Sequence, residues 1–343
     1  MPGLSTSPEA LQGVGFWRYL PWLPVNEGIS IGERETPLLR LAVDSPNVLL
    51  KLEGMLPSGS FKDRGAAVLV SWLLKHGVAQ VVEDSSGNAG AALAAYCARA
   101  RIGCHLYVPA STSVEKLVQA ETYGARVTRV SGPREAATAA ALKALDEGST
   151  YASHLWHPLF QAGTETFAFE LWEQLGRRGP DVLVFPVGAG SLLLGAWHGF
   201  RRLQEAGLLA RMPRFYGVQA SICAPLATEF LSSPTQSPDP GANGVAEGIM
   251  VVSPPRARAV SAAANETGGS IVAMPEGAVW DALAWLGRTG VYAEPTSALA
   301  LAALQALLAA GRIQDDEEVV VAVTGLGLKA TSAIRARSGE GAN

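Results

Sequence analysis

The chain has 343 residues, 48% hydrophobic and 17% charged, enough for one large or two moderate cores and unlike a disordered or coiled-coil chain. A formal net charge of −4 and a pI near 5.8 argue against a basic surface for nucleic acid or anionic lipid. Three cysteines, Cys97, Cys104 and Cys223, are too few for a disulfide framework and lack zinc spacing. Each reads as a small buried hydrophobe, and no metal site is expected.

No basic stretch followed by an apolar one opens the chain, so no secretory signal is expected and the protein reads as cytoplasmic. Short β-rich runs then alternate with longer helical ones, the pattern of βα units on a largely parallel sheet. "NVLLKLE" (47–53) reads as a strand, and a helix follows Lys62. "QVVED" (80–84) is the next strand, with a helix from Asn88 to about Arg101. "CHLYVP" (104–109), a helix from Ser113 to Tyr123, "ARVTRV" (125–130) and a helix from Arg134 to Asp146 continue the rhythm. Later strands are "DVLVFPV" (181–187), "RFYGVQA" (214–220) and "EVVVAVT" (318–324). The stretch from Leu183 to Phe200 is uncharged, yet Pro186 and four glycines within it predict a buried strand–turn–helix rather than a membrane span. "LSSPTQSPDPGANG" (231–244) reads as a surface loop. The acidic run from Asp315 to Glu318 reads as a solvated turn.

In parallel α/β sheets, ligands gather where strands end and helices begin, and four such turns stand out. "SGSFKDRG" (58–65) puts Lys62 at a helix N-terminus, where the peptide dipole disfavours a second positive charge. "DSSGNAG" (84–90) offers backbone N–H groups and hydroxyls suited to a carboxylate. In "PVGAGSLLLG" (186–195), amides from Gly188 to Leu192 could converge on one phosphate. The dinucleotide pattern fails there at Leu193, and the Walker pattern is absent. "VTGLGLK" (323–329) ends a strand at Thr324, and "EPTSALALAAL" (294–304) opens a helix suited to close packing.

Together and in this order, these turns resemble the pyridoxal-phosphate enzymes of the tryptophan synthase β-subunit fold (fold type II), nearest the threonine synthase and threonine dehydratase branch. The resemblance runs from "TPLLRL" at Thr36 to Lys329 and is carried by "PSGSFKDRG", "HPLFQAGTETFAFE", "GAGSLLLG" and "TGLGLK". It implies an α/β fold of two three-layer α/β/α domains around mainly parallel sheets. A large cofactor-binding domain would comprise 1–50 with 150–343, and a small one 51–149.

The resemblance also assigns roles. Lys62 is implied as the Schiff-base lysine of pyridoxal 5′-phosphate; desolvation and positive surroundings lower a lysine's pKa and make it nucleophilic. Gly188, Ala189, Gly190, Ser191 and Leu192 match the turn that holds the cofactor phosphate. Asn88 matches the residue that bonds the 3′-oxygen, and Thr324 the one that faces the pyridine nitrogen. Ser85, Ser86, Gly87 and Ala89, with Asn88, match the loop around the substrate carboxylate, and His154 and His157 are candidate substrate contacts. Arg64 and Asp63 form the helix's first turn, with an anion-holding role for Arg64 as the alternative.

The implied reaction is elimination or replacement at the side chain of a β- or γ-substituted L-amino acid, through an external aldimine and an aminoacrylate or aminocrotonate. The alternatives are a serine/threonine dehydratase giving a 2-oxo acid, and a non-catalytic cofactor-binding sensor or partner subunit. A homodimer is implied, with no nucleic-acid or membrane partner. Threonine synthases typically carry Asn-Pro-x-Arg where this chain has His157, Pro158 and Phe160. The loss of that bidentate ligand argues against a phosphorylated substrate without touching cofactor binding.

Overall fold

The computed structural model describes residues 11, 13–41, 47–132, 134–147, 149–231 and 244–340; the loop expected at 231–244 falls almost wholly outside them. In chain order the strands are β1 (Leu38–Arg40), β2 (Val48–Leu52), β3 (Gln80–Glu83), β4 (Gly103–Pro109), β5 (Arg126–Val130), β6 (Thr150–Tyr151), β7 (Val182–Pro186), β8 (Arg214–Ala220), β9 (Glu229–Phe230), β10 (Ser270–Met274) and β11 (Val319–Val323). The chain divides into two compact units, one made of residues 1–35 with 56–167, the other of 36–55 with 168–343.

The unit that carries Lys62 is built on a four-stranded sheet in the order β5-β4-β3-β6, parallel throughout. Its N-terminal segment is tied on by polar contacts: the Ile29 amide donates to Ser71 Oγ at 2.9 Å, and Arg99 Nε to the Ser30 carbonyl at 3.1 Å. These contacts join the segment around Ile29 and Ser30 to this unit.

The other unit has a seven-stranded sheet in the order β1-β2-β11-β7-β8-β10-β9. β1 pairs antiparallel with β2, and every other pairing is parallel. β7 and β11 are buried at every residue, as in strands covered on both faces. The Pro295–Ala309 helix has buried positions all round and packs against β7, β8, β10 and β11, which explains its near-continuous Ala and Leu sequence. The uncharged 183–200 stretch resolves into β7, a turn and the Ser191–Glu205 helix. Among the described residues, no helix is long and apolar enough to cross a membrane.

A charged cluster lies inside this second unit. Lys51 on β2 and Glu170 are both fully buried, with Nζ 2.5 Å from Oε1. Lys51 also donates to the Thr36 carbonyl and to Gln174 Oε1, each at 2.8 Å. The Thr36 N–H donates to Glu170 Oε1, and its single hydroxyl proton is shared between Glu170 Oε1 and Glu53 Oε1, 2.9 and 2.8 Å from Oγ1. A buried ion pair adds little over an apolar replacement, but removing one partner strands a charge. Glu170→Ala is therefore expected to lower unfolding stability by about 3–5 kcal/mol, read by urea denaturation. A loss within the range of exposed pairs would show that the cluster is not closed to water.

Candidate active site

Lys62 is the first residue of the Lys62–Lys75 helix. The Gly59 amide donates to the Leu56 carbonyl at 2.8 Å, closing the turn before it, and Gly59 takes φ +90°, a left-handed conformation open to glycine. Buried Asp63 accepts the Ser58 amide at 2.7 Å, fastening that turn to the helix start. Buried Arg64 donates from Nη1 to Thr166 Oγ1 at 3.1 Å. Both residues thus stand in the helix's first turn, as expected. Lys62 Nζ lies 4.5 Å from the Phe61 ring centre and 5.8 Å from that of Phe160. The Ser58 and Ser60 hydroxyls of the preceding turn are buried with no hydrogen-bond partner among the described residues.

Phe160 sits on the Pro158–Thr164 helix, which packs closely on the Lys62 helix. A Cβ on Gly65 would lie 2.5 Å from the Phe160 ring, and one on Gly163 would lie 2.0 Å from the Arg64 carbonyl oxygen. The missing side chains let the two helices touch and leave a notch filled by the phenyl ring. His157 caps this helix, its Nδ1 accepting the Leu159 amide at 3.3 Å.

β3 and β6 run parallel in the register Val82↔Tyr151, and the Ala152 amide extends the ladder to the Val82 carbonyl. Residues just beyond the two strands are therefore neighbours. Glu83 Oε1 lies 2.9 Å from His154 Nδ1, and Oε2 accepts the His154 amide at 3.1 Å. His154 meets Phe160 edge-on with ring centres 6.0 Å apart, so it shares that ring with Lys62. Burial and the neighbouring Asp84 push the Glu83 carboxyl well above its usual range. Burial, with the charges of Lys62 and Arg134, pushes His154 well below its own.

Ser85, Ser86 and Gly87 form the turn after β3, and Asn88 and Ala89 open the Asn88–Ala100 helix. Ser85 Oγ accepts the Gly87 amide at 3.3 Å. A Cβ on Gly90 would lie 2.2 Å from the Ser85 carbonyl oxygen, so the helix start is pressed onto the turn. Asp84 accepts Thr138 Oγ1 at 2.5 Å and the Tyr151 hydroxyl at 3.1 Å. In this unit Lys62, Phe160, His154 and Glu83 form one contact chain, and the 85–89 turn directly follows Glu83.

The second unit brings together the other predicted residues. β7 and β11 are adjacent and parallel with Val321 opposite Val184, so their following turns emerge side by side. Gly190 caps the Ser191–Glu205 helix at φ +77°, and a Cβ there would lie 2.3 Å from Val260 Cγ2. A Cβ on Gly188 would lie 2.9 Å from the Ile249 Cα, and one on Gly248 2.9 Å from Thr296 Oγ1. Thr324 Oγ1 is 3.1 Å from Ser297 Oγ and donates to Glu294 Oε1 at 3.3 Å. The turn from Gly188 to Leu192, with Ala189 and Ser191, thus connects through 247–249 and 294–297 to Thr324. Sequence reading had given Glu83, Ser58, Ser60 and Ser297 no role. The available signals were an acid in an apolar strand and hydroxyls flanking Lys62.

The model of the pyridoxal-phosphate dependent enzyme family matches residues 29–325. The chain belongs to that family. It is 34% identical over 339 residues to a threonine synthase of Methanocaldococcus jannaschii, covering 94% of this chain and 83% of that protein. Among solved structures it is similar to a T.th. threonine deaminase, with TM-score 0.71, 26% identity, and 85% and 92% of the two chains covered. It also resembles an L-serine ammonia-lyase of Rhizomucor miehei, with TM-score 0.73, 20% identity, and 92% and 99% covered. The chain is a threonine-synthase-like pyridoxal-phosphate enzyme, and its cofactor is pyridoxal 5′-phosphate.

The residues present suit that cofactor. Gly188 and Gly190 let the turn at 188–190 pack onto Ile249 and Val260, and a helix N-terminus, where backbone amides attract an anion, follows it. The Ser58 and Ser60 hydroxyls, in the turn that precedes Lys62, are buried donors with no hydrogen-bond partner among the described residues. Gly190→Ala combines a left-handed backbone with a clash on Val260. It is expected to weaken cofactor affinity about tenfold or more, for a strain of roughly 1–2 kcal/mol. Gly207→Ala, also left-handed but facing open space, is the control that should leave affinity unchanged. Fluorescence titration of the apoprotein with pyridoxal phosphate reads both; equal affinities would contradict a phosphate role for this turn.

Proposed function

We infer that this threonine-synthase-like lyase acts on a small L-amino acid with an uncharged β-substituent, serine or threonine rather than a phosphorylated homologue. The observation that carries the reading is Phe160. Its buried ring sits in the Gly65 notch against Lys62 and His154, where the family resemblance leads one to expect an arginine for phosphate. An aromatic ring accommodates an uncharged side chain and offers no hydrogen bond to a phosphate dianion.

In this reading Lys62 holds the cofactor covalently, Gly188 to Leu192 take its phosphate, Asn88 its 3′-oxygen, and Thr324 its ring nitrogen. When bound, pyridoxal phosphate supplies an electron sink that acidifies the α-proton of an attached amino acid. Ser85 to Ala89 take the substrate carboxylate at a helix N-terminus. Lys62 removes the α-proton, and Ser297 and Glu294 fix the Thr324 hydroxyl. A cytoplasmic homodimer belongs to the same reading.

A second reading, replacement on a phosphorylated substrate, is supported by the 34% identity to a threonine synthase. Supplying serine, threonine and O-phosphohomoserine separately tests the two. The expected outcome is 2-oxo acid from a hydroxy amino acid and no phosphate release; phosphate release alone would favour the second reading. Borohydride reduction followed by peptide mass spectrometry is expected to fix the cofactor on Lys62. Lys62→Ala is expected to lose that adduct and at least a hundredfold in turnover, the lower end of the range for a positioned base.

A further inference from the structure

Lys62 accounts for only one of the two proton transfers that an elimination from a hydroxy amino acid needs. Hydroxide is a poor leaving group, and its departure calls for an acid. We propose that His154 is that acid and that Glu83 is a positioning residue which reloads it. The inference rests on the reading above, and it assigns the proton source within it.

Three observations support it. The pair is built into the sheet, since the β3–β6 register sets the 2.9 Å contact between Glu83 Oε1 and His154 Nδ1. It is dry, with side-chain exposure of 1% for Glu83 and 9% for His154. It also meets the ring that the lysine approaches, His154 and Lys62 lying 6.0 and 5.8 Å from the centre of Phe160, and the Lys62 charge acts on His154. The Glu83 contact takes up Nδ1, which leaves Nε2 as the working nitrogen.

Burial penalises both a carboxylate and an imidazolium here. The resting pair therefore holds one proton on Glu83, donated to Nδ1, and a second on Nε2. As Lys62 takes the α-proton, the electron pair left at Cα forms the Cα–Cβ double bond, and the Cβ–O bond breaks with its pair passing to oxygen. Nε2 gives its proton to that oxygen, releasing water, while Nδ1 takes the Glu83 proton. The imidazole stays neutral and the new negative charge rests on Glu83. The proton on Lys62 then returns to the pair, so no outside oxidant or base is consumed. The charged groups bearing on the pair are Asp84, Lys62 and Arg134.

The test compares L-serine, whose leaving oxygen needs a proton, with β-chloro-L-alanine, whose chloride does not. His154→Gln and Glu83→Gln are each expected to cut kcat on serine about 100-fold while changing kcat on the chloro compound less than threefold. The chloro activity also reports that each variant is folded. Independently of turnover, ¹⁵N-histidine NMR of the substrate-free holoenzyme should show His154 protonated on Nε2, and still so in Glu83→Gln, whose amide can donate to Nδ1. Equal losses on both substrates, or a resting proton on Nδ1, would overturn the assignment. A wild-type enzyme that consumes the chloro compound but not serine would overturn the underlying reading, and the inference with it.

Discussion

Parallel strands paired in register end together, and the placement of Glu83, His154, the 85–89 turn, the 188–192 turn and Thr324 follows from that constraint. In one unit the β3–β6 pairing delivers Glu83 and the 85–89 turn beside His154. In the other, the β7–β11 pairing delivers the 188–192 turn beside Thr324. A one-residue slip would turn each set of side chains to the opposite face. β7 and β11 are buried on both faces, so a slip would also strand apolar side chains, and the register is fixed by packing as well as by hydrogen bonds.

Close backbone approach is the second ingredient. Gly65 and Gly163 let two helices meet, and Gly90 lets a helix start rest on the Ser85 carbonyl. Gly54, at the end of β2, packs onto the Gly325–Leu326 backbone in the same way. These contacts leave little freedom at the site turns. The charges inside the second unit are handled by saturation, with Lys51, Glu170, Thr36 and Gln174 meeting one another's donors and acceptors.

Much of this was legible in the sequence because βα units write themselves locally. The expected strands at 47–53, 80–84, 104–109, 125–130, 181–187, 214–220 and 318–324 all form, with ends shifted by a residue or so. β10, at "SIVAM", was passed over although two glycines precede it; β6 and β9 are each two residues long and leave almost no periodic signal. The Glu83–His154 contact could not be read, since nothing local to either residue specifies which strand lies next to β3. The exchange of an expected arginine for Phe160 was visible, but that the ring fills a notch in a helix–helix contact was not.

The pairing of β2 with β11 has a consequence for how the protein is made. Leu49 and Val320 are partners in adjacent strands, yet nearly the whole chain separates them. During synthesis β2 emerges together with β1 but long before its other neighbour, β11, exists, while β3 to β6 can assemble in the meantime from sequence-local pieces. Such distant pairings fold slowly because chain closure must be met before any contact compensates it. Until β11 leaves the ribosome, the edge of β2 that it will cover stays open, and it is there that a nascent chain would be exposed to misassociation.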